Sequence, residues 1–513
     1  MNYTQLPLAC FHEIQKQAPN SYVNKIDHGG KIPMAYIMGN RKQKTFFPPT
    51  IEDYVGKEDP VRVYDAFIES IDLQEMGISI DPFQAGAHTF YPKAMLKLIV
   101  YGYSYGIRSS RKLERACYHN LSFIWLISGI QPDYRTIARF RSDNKEAIKR
   151  VLRQNVKLCI KLGIIEGNTL FVDGSKFRAN ASINNTWDEE RCKKRLEIAE
   201  KNIERIMEEA EQIDKEEDST GSLVKLNEAL QDQKKMRAKV QEIVKTLKET
   251  GKEKINTTDK DSVNGKSRQG SHAIMNCEVT TDVKHGLIVN GEAVSQNNDL
   301  NQLSPQVEQC TETLGKPPAQ VVSDSGYFSL KDIEKVAEGV KVIMPGRKQA
   351  QKENKKTPVE PFGKEEFSYD KKRDVYICPE GKILKNKGIA FGSKGKISYK
   401  AGGKECRECK HFGVCTTSKN GRWVVRMVEQ EGLKERLEEI YHEEESQKLY
   451  KLRKEKAELP FGHMKRNLGA GQFLLRGKEG VNAELSILLT CFNVARMITI
   501  IGIPTLIAKL NSM

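Results

Sequence analysis

One stretch of the sequence, from Ala319 to Gly346, predicts a strand, a helix and a second strand. The run "AQVVSDSGYFS" is β-prone, "SLKDIEKVAEG" begins with Ser329 and Asp332 as an expected helix-capping pair, and "VKVIMPG" is apolar again. Upstream, "TLFVDGSKF" predicts another strand, while "AIMNCEVTTD" and "GLIVNGEAVS" predict an antiparallel pair. Strands that alternate with a helix indicate an α/β sheet, so we expect an α/β fold.

Two of these predicted strands lead into an aspartate. Asp173 follows one apolar run and Asp324 follows another, and each precedes a small residue. If the strands are neighbours, both carboxylates emerge at the same edge of the sheet. Two negative charges about 4 Å apart repel by roughly 4 kcal/mol at an effective dielectric near 20, so the pair needs a proton or a cation, and Mg²⁺ suits oxygen ligands. The alternative is that either aspartate only forms a turn, since D-G and D-S-G are common turn strings.

A third acid lies in the segment "YKLRKEKAELPFGHMKRNLG", residues 450–469. We expect it on or beside a long helix that begins near Glu429, and Glu458 precedes a Leu-Pro step that should bend the chain. Two other acids compete with Glu458. Glu455 lies in the same segment, and Glu484 lies in the later apolar run "NAELSILL", where it could instead be a capping or buried structural group.

Residues from about 188 to 252 show the alternating three-and-four spacing of a helical seam in two successive blocks. The seam positions are Leu196, Ala199, Ile203, Ile206, Ala210 and Ile213, then Leu226, Ala229, Gln233, Met236, Val240, Ile243 and Leu247. The string "DSTGS", residues 218–222, separates the blocks. This pattern predicts two antiparallel helices that form a coiled-coil hairpin.

The N-terminal part predicts short helices between residues 91 and 141, and a helical face from Val61 to Ile71. Asp133 is a plausible N-cap, and Arg135, Arg139 and Arg141 follow it on the polar side of one helix. This side could contact phosphates, or it could be a solvated basic face. The formal net charge of +15 suits a polyanionic partner, and also an acidic membrane surface.

Eleven cysteines, an odd number, are mostly scattered and do not suggest a disulfide framework. Four of them have the spacing C-x27-C-x2-C-x5-C, which could complete a tetrahedral Zn²⁺ site. These four are Cys378, Cys406, Cys409 and Cys415. His411 could replace one ligand, and the alternative is a set of reduced thiols without metal. A bound zinc ion would organise this segment and would be separate from the expected carboxylate site.

The most apolar segment, Leu485 to Leu510, contains Asn493, Arg496 and Pro504, which a lipid-facing span would tolerate poorly. We therefore expect a buried C-terminal helix and no membrane association. The first residues lack the pattern of a secretory signal, so we expect a cytoplasmic protein.

The segment "AELPFGHMKRNLGAGQFLLRGKEGVNAELSILLTCFNVARMI" resembles the C-terminal signature of the DDE transposases of bacterial insertion sequences. In that family a Tyr, an Arg, the catalytic Glu and a Lys recur in this order, which here corresponds to Tyr450, Arg453, Glu458 and Lys465. The residues around "FVDGSKFRANAS" and "VVSDSGYFS" resemble the family's first and second aspartate strands, and residues 91–141 resemble its N-terminal domain. The resemblance is collinear over most of residues 45–500.

The resemblance implies a retroviral-integrase-like (RNase H-like) core in which Asp173, Asp324 and Glu458 bind two Mg²⁺ ions, with Mn²⁺ as a substitute. Hydrolysis at the element ends and strand transfer into target DNA would use this one site. By the same analogy, Tyr450, Arg453 and Lys465 would contact DNA phosphates, and we expect the basic Lys176 near the same backbone. The alternative for the helix residues is an exposed basic face.

The domain organisation expected from the sequence has five parts. These are a helical DNA-binding domain at 1–150, the first part of the catalytic core at 165–187 and 255–350, the hairpin insertion at 188–254, a β-rich insertion with the four cysteines at 351–425, and the helical C-terminal part of the core at 426–513. The expected partners are double-stranded DNA, as terminal inverted repeats and target, and a second copy of the chain. Alternatives are a metal-dependent nuclease without strand transfer and a non-catalytic DNA-binding relic.

Overall fold

The N-terminal part of the chain is helical, as expected. The computed structural model describes residues 50–78, 89–215, 220–267, 270–353, 361–390 and 395–513, of which residues 50–513 belong to one compact unit. Before the first strand, the described residues form a 3-10 turn at Ile51–Tyr54 and seven α-helices. These are α1 (Val61–Glu69), α2 (Pro92–Ser104), α3 (Ser110–His119), α4 (Leu121–Leu126), α5 (Tyr134–Asp143), α6 (Lys145–Lys149) and α7 (Val151–Lys161).

Asp133 is the N-cap of α5, as predicted, because its carboxylate accepts hydrogen bonds from the N–H groups of Arg135 and Thr136. The prediction that Arg141 lies on the exposed polar side of this helix is wrong. Its side chain is buried and donates to the backbone carbonyl of Arg108 at 2.8 Å and to the hydroxyl of Ser110. Arg141 therefore joins α5 to α3.

The central sheet contains six strands among the described residues, in the order β4-β5-β1-β7-β8, with β6 also paired to β5. The strands are β1 (Thr169–Arg178), β4 (Val263–Ser267), β5 (Gly270–Asp282), β6 (Ile288–Val294), β7 (Gln320–Val322) and β8 (Lys341–Ile343). Strand β5 is antiparallel to its three neighbours β1, β4 and β6, whereas β1, β7 and β8 run parallel to one another. The predicted α/β character and the predicted antiparallel pair, β5 and β6, are confirmed.

The helix predicted between β7 and β8, from Ser329 to Gly339, is shorter in the structure. Between β6 and β7 lies α10 (Leu303–Leu314), and between β7 and β8 lie a 3-10 turn at Ser325–Tyr327 and the single-turn helix α11 (Leu330–Ile333). The predicted capping pair is wrong. Ser329 makes no side-chain cap hydrogen bond, and the carboxylate of Asp332 instead accepts from the N–H of Leu303 at 2.9 Å.

Two long helices are inserted after β1 and precede β4. They are α8 (Glu189–Lys215) and α9 (Thr220–Thr250), flanked by the short paired strands β2 (Thr186–Asp188) and β3 (Lys254–Asn256). At the base of the pair, Trp187 and Cys192 pack with Val240, Ile243 and Leu247 in a small core. Of the predicted break, Asp218 and Ser219 lie outside the described residues, while the next three residues already belong to α9.

A second sheet of five antiparallel strands follows α12 (Arg347–Glu353). Its strands are β9 (Ser368–Asp370), β10 (Val375–Ile377), β11 (Ile383–Ile389), β12 (Lys396–Lys400) and β13 (Trp423–Met427). The short helix α13 (Gly403–Arg407) lies between β12 and β13. This segment has its own small core, as expected for a β-rich insertion.

The C-terminal part is helical, but the predicted single helices are divided. α14 (Glu431–His442) and α15 (Glu444–Arg466) are separated by one residue, Glu443, and α15 continues through Pro460. The apolar segment forms α16 (Gly477–Ile501) and α17 (Ile503–Asn511), which meet at Gly502, where φ is +83°. Within the described chain, α16 is long and apolar enough to span a membrane, but its apolar window is 67% buried inside the protein, as in a core helix.

Two polar side chains of α16 hydrogen-bond to the backbone of β6 and hold this helix against the sheet. The side chain of Asn493 accepts from the N–H of Ile288 at 2.8 Å and donates to its carbonyl at 2.9 Å, and Asn482 accepts from the N–H of Ala293 at 2.7 Å. These contacts satisfy the free backbone groups of β6 at the sheet margin. The helix thus joins the sheet and the N-terminal helices in one hydrophobic core.

Candidate functional site

Asp173 and Asp324 are placed together by the parallel pairing of β1 with β7. Phe171 pairs with Val322, and each aspartate comes two residues after its member of that pair. Because β7 ends at Val322 while β1 continues, Asp173 lies within a strand and not in a turn. The expectation that the two strands are neighbours is therefore confirmed, and the turn interpretation of Asp173 is wrong.

The carboxyl group of Asp173 is buried among other charges. Burial, together with the charges of Asp324 and Glu458, raises its pKa to about 7 against the opposing effect of Arg453. Arg453 contacts it directly, with 3.2 Å between a guanidinium nitrogen and a carboxylate oxygen. This arrangement of several carboxylates with one cation produces a site where positive charge is favourable.

Helix α15 carries Glu458 and the other residues of the proposed family signature to this sheet edge. It packs against β1, where Phe461 lies 6.3 Å from Phe177, centroid to centroid. Ala457 is buried against the sheet and Glu458 is exposed. The helix therefore anchors one face on β1 while Glu458 remains accessible to solvent.

Arg453, Tyr450 and Lys465 do not form an exposed basic face of α15. Arg453 is 8% exposed, and Tyr450 is half-buried with its ring 5.6 Å from the Arg453 guanidinium. The ammonium of Lys465 donates to the hydroxyl of Ser175 at 2.6 Å and lies 4.5 Å from the ring of Phe177. Burial lowers the pKa of Lys465 and raises that of Tyr450. All three side chains therefore lie against β1 or the residues beside it.

A second group of acids, which the sequence reasoning missed, lies beside the first. Glu278 on β5 is fully buried, and burial, with the charge of Asp299, raises its pKa to about 8. The hydroxyl of Tyr327 donates to one of its oxygens, and the amide of Asn276 donates to the other at 2.8 Å and to Asp299 at 2.7 Å. We call Asn276, Glu278, Asp299 and Tyr327 the inner acid cluster.

Gly174 lets the inner acid cluster approach β1. It pairs with Glu278 across the two strands, and a Cβ atom at this position would lie 2.6 Å from a carboxylate oxygen of Asp299 and 3.1 Å from the Tyr327 hydroxyl. A side chain here would displace the carboxylate of Asp299 from the cluster. Packing, and not a turn, therefore favours glycine directly after Asp173.

Glu484, the rival third acid, has a different environment. Its side chain is fully buried, pairs with Arg108 at 3.0 Å, and accepts hydrogen bonds from the N–H groups of Leu474 and Leu475 at 2.8 and 3.0 Å. Arg108 also donates to two backbone carbonyls of residues 469–472. Glu484 thus joins the α15–α16 connection to the N-terminal helices, which is the role of a buried structural group.

The remaining candidate residues lie on other surfaces. Lys176 on β1 is exposed, and its charge acts on Asp299. Arg135 and Arg139 are exposed on α5, where the Arg135 guanidinium lies over the ring of Tyr134. The four cysteines belong to the five-stranded sheet segment and not to the carboxylate site.

The donor set of the carboxylate site fits divalent cations by its chemistry. Oxygen ligands suit Mg²⁺ and Mn²⁺, and Arg453 already supplies a positive charge to Asp173. Among the described residues, no group of three or more His, Cys, Asp or Glu side chains is arranged to hold a metal ion as it stands. To bind an ion, the carboxylate side chains would therefore have to move closer to one another.

The fold and site define a mixed α/β protein with a helical N-terminal region and carboxylates collected at one edge of its sheet. Two parts of the chain match family models: residues 377–498 match "Transposase DDE domain" and residues 49–143 match "Transposase domain (DUF772)". These matches confirm the resemblance and are consistent with a DDE-type transposase of insertion sequences. No curated protein and no solved structure matches the chain. Glu458 lies within the first matched range, while Asp173 and Asp324 lie outside both.

A sequence signal for the inner acid cluster does exist. Asn276, Glu278 and Thr280 alternate with the apolar Cys277 and Val279, so they share one face of β5. Polar residues at this period inside a buried strand indicate a polar interior partner, and an acid among them is costly unless it is hydrogen-bonded. Asp299, in the loop after β6, carries no comparable signal.

Proposed function

We propose that this protein is a DNA transposase that binds the ends of its insertion sequence and performs metal-dependent strand cleavage and strand transfer. The observation that carries the proposal is the pairing of β1 with β7, which brings Asp173 and Asp324 to one sheet edge beneath the helix with Glu458. On one side of β1 lies the antiparallel strand β5, which also pairs with β4 and β6, and on the other side lie the parallel strands β7 and β8. This strand order supports the RNase H-like core that the resemblance implies.

In this proposal Asp173, Asp324 and Glu458 hold two Mg²⁺ ions. When bound, the ions supply activation of a water or 3′-hydroxyl nucleophile and stabilise the leaving oxygen during in-line attack at phosphorus. The chain itself excludes water from Asp173, which is buried, and keeps Glu458 accessible from solvent. Arg453 balances the charge of Asp173 from the helix side.

DNA would be held by basic residues beside the carboxylates and by others on the N-terminal helix α5. Lys465 is fixed by Ser175, two residues after Asp173, and so offers a cation close to the site. Lys176 on the same strand and Arg135 and Arg139 on α5 are exposed and suit phosphate contacts. The excess of 83 Lys and Arg over 68 Asp and Glu supports a polyanionic partner. Because two element ends must be joined, we expect a dimer on DNA.

The test uses duplex DNA that carries the ends of the protein's own element, with Mg²⁺. We expect 3′-end nicking and joining by the wild type, loss of both in Asp173→Ala and Asp324→Ala, and full activity in Asp232→Ala, whose side chain is exposed on α9. If nicking and joining survive both site substitutions, the assignment of the site is wrong. Nicking without joining by the wild type would make the protein a nuclease, and DNA binding without nicking would make it a relic.

A further inference from the structure

The five-stranded sheet segment contains a site of another kind, formed by four thiols. Cys378 follows β10, Cys406 lies in α13, and Cys409 and Cys415 lie in the loop that leads to β13. All four are free and partly exposed, and they line one cavity of about 30 Å³. A cavity of this size has room for about one water molecule or one ion.

We propose that these four cysteines bind a single structural Zn²⁺ ion. The inference does not depend on the proposed function, because the site belongs to a separate sheet with its own core. A set of four thiolates suits Zn²⁺ or an iron–sulfur cluster, and the small cavity favours a single ion.

Two of the four sulfurs accept hydrogen bonds from backbone N–H groups. The N–H of Lys382 donates to the sulfur of Cys378, with 3.3 Å between nitrogen and sulfur, and the N–H of Arg422 donates to the sulfur of Cys406 at 3.4 Å. These hydrogen bonds fix the positions of the two sulfurs at the cavity, where both can serve as ligands.

Two glycines make these hydrogen bonds possible. Gly381, with φ +73°, lies in the turn that returns Lys382 to Cys378, where the two residues also exchange a backbone hydrogen bond of 2.9 Å. Gly421, with φ +96°, precedes Arg422, and a Cβ atom there would lie 2.4 Å from the carbonyl oxygen of Ala401. Both positions need the left-handed region and thus favour glycine.

A positive charge lies beside the four sulfurs, because Arg422 lines the same cavity as the cysteines. Arg422 is fixed by hydrogen bonds to the carbonyls of Cys415 and Phe362 at 3.0 and 2.8 Å. Its positive charge therefore remains beside the thiols.

His411 also lines the cavity, but its ring is engaged elsewhere. A ring nitrogen lies 3.1 Å from the carboxylate of Glu380, and the ring packs 4.6 Å from that of Phe362. We therefore assign the four cysteines as ligands and His411 as a neighbour. Because the described residues form no closed ligand group as they stand, the thiols must move inwards around the ion.

The physical need for the ion follows from the size of the local core. Six hydrophobic residues are buried in it, and three of the four cysteines pack at its margin. The buried residues are Phe367, Tyr376, Leu384, Tyr399, Ala401 and Val424. A core of this size supplies little stability, and small segments of this kind are commonly held by a metal or a disulfide.

The test is the metal content of the purified full-length protein. We expect one zinc per chain, its loss in Cys378→Ser and Cys409→Ser, and its retention in His411→Ala and in Cys192→Ser, a matched cysteine of the helical insertion. Zinc retained in both ligand variants, loss of zinc in His411→Ala, iron in place of zinc, or a disulfide between these cysteines would each overturn the proposal.

A second measurement avoids variants that fail to fold. Wild-type protein produced with Co²⁺ should show sulfur-to-cobalt charge-transfer absorption, and removal of the metal with a chelator should increase hydrogen exchange in residues 361–427 while β1 and β5 stay protected. A cobalt protein without that absorption, or exchange that is unchanged after chelation, would contradict a zinc ion held by thiolates.

Discussion

Substitution of the two rival acids, Glu458 and Glu484, should have opposite effects. Glu484→Gln removes the charge from three hydrogen bonds, one of them with Arg108. A hydrogen bond to a charged group contributes about 1.5–3 kcal/mol, and Arg108 keeps its two backbone carbonyls. Because burial raises the pKa of Glu484, a neutral amide recovers part of the loss. We therefore expect a decrease of about 2 kcal/mol in the free energy of unfolding, with nicking per folded molecule retained.

Glu458→Gln should do the reverse. Its side chain is exposed, and surface substitutions usually change the free energy of unfolding by less than about 0.5 kcal/mol. Loss of a proposed metal ligand should, in contrast, reduce the rate of nicking at least about 100-fold. Urea denaturation followed by tryptophan fluorescence gives the stability, and Mg²⁺-dependent nicking of end-bearing DNA gives the activity. The reasoning is refuted if Glu484→Gln keeps its stability but loses nicking, or if Glu458→Gln nicks as the wild type does.

Three further changes test the packing, the charge and the DNA contacts. Gly174→Ala places a Cβ 2.6 Å from a carboxylate oxygen and should lower the free energy of unfolding by about 1–3 kcal/mol. The control Gly462→Ala, on α15 with open space around it, should raise it by about 0.5–1 kcal/mol. Equal urea midpoints of the two variants would contradict this. The pKa of Glu278 is raised to about 8, so its contribution to stability is present below its unfolded pKa and is lost as pH rises towards 8. The free energy of unfolding of the wild type, relative to that of Glu278→Gln, should therefore fall by about 1 kcal/mol or more between pH 5 and 8. Parallel pH profiles of the two proteins would contradict this. Arg139→Gln should weaken DNA binding and reduce the slope of log affinity against log salt by about 1, as should Arg135→Gln, while an unchanged slope would exclude a phosphate contact.

The sequence predicted the parts of the fold in which pattern and environment agree. The apolar runs before Asp173 and Asp324 are strands because both of their faces are buried, and the α5 cap at Asp133 follows from local hydrogen bonding alone. The predicted length of the helix after β7 was wrong because tertiary contacts determine where that helix ends. Asp332, expected to cap its own helix, binds the backbone of α10 instead.

The two aspartates of the candidate site could be proposed from the sequence, but the residues that surround them could not. Asp173 and Asp324 were recognisable because each follows a strand, and β-strand pairing then fixes their proximity. The burial of Arg453 against Asp173 was not predictable, since an arginine on a charged helix looks the same whether it faces solvent or a carboxylate. Glu278 comes from a strand 100 residues further along the chain, and only the sheet register places it beside Gly174.

Whether the three carboxylates form one metal centre can be measured directly by iron-mediated cleavage of the protein backbone. Bound Fe²⁺, with ascorbate and peroxide, generates radicals that cut the chain beside the ion. The proposal predicts cuts next to Asp173, Asp324 and Glu458 that excess Mg²⁺ suppresses and that Asp173→Ala abolishes together. Cuts near Glu484, or cuts at one of the three acids that persist after the substitution, would contradict a shared metal centre.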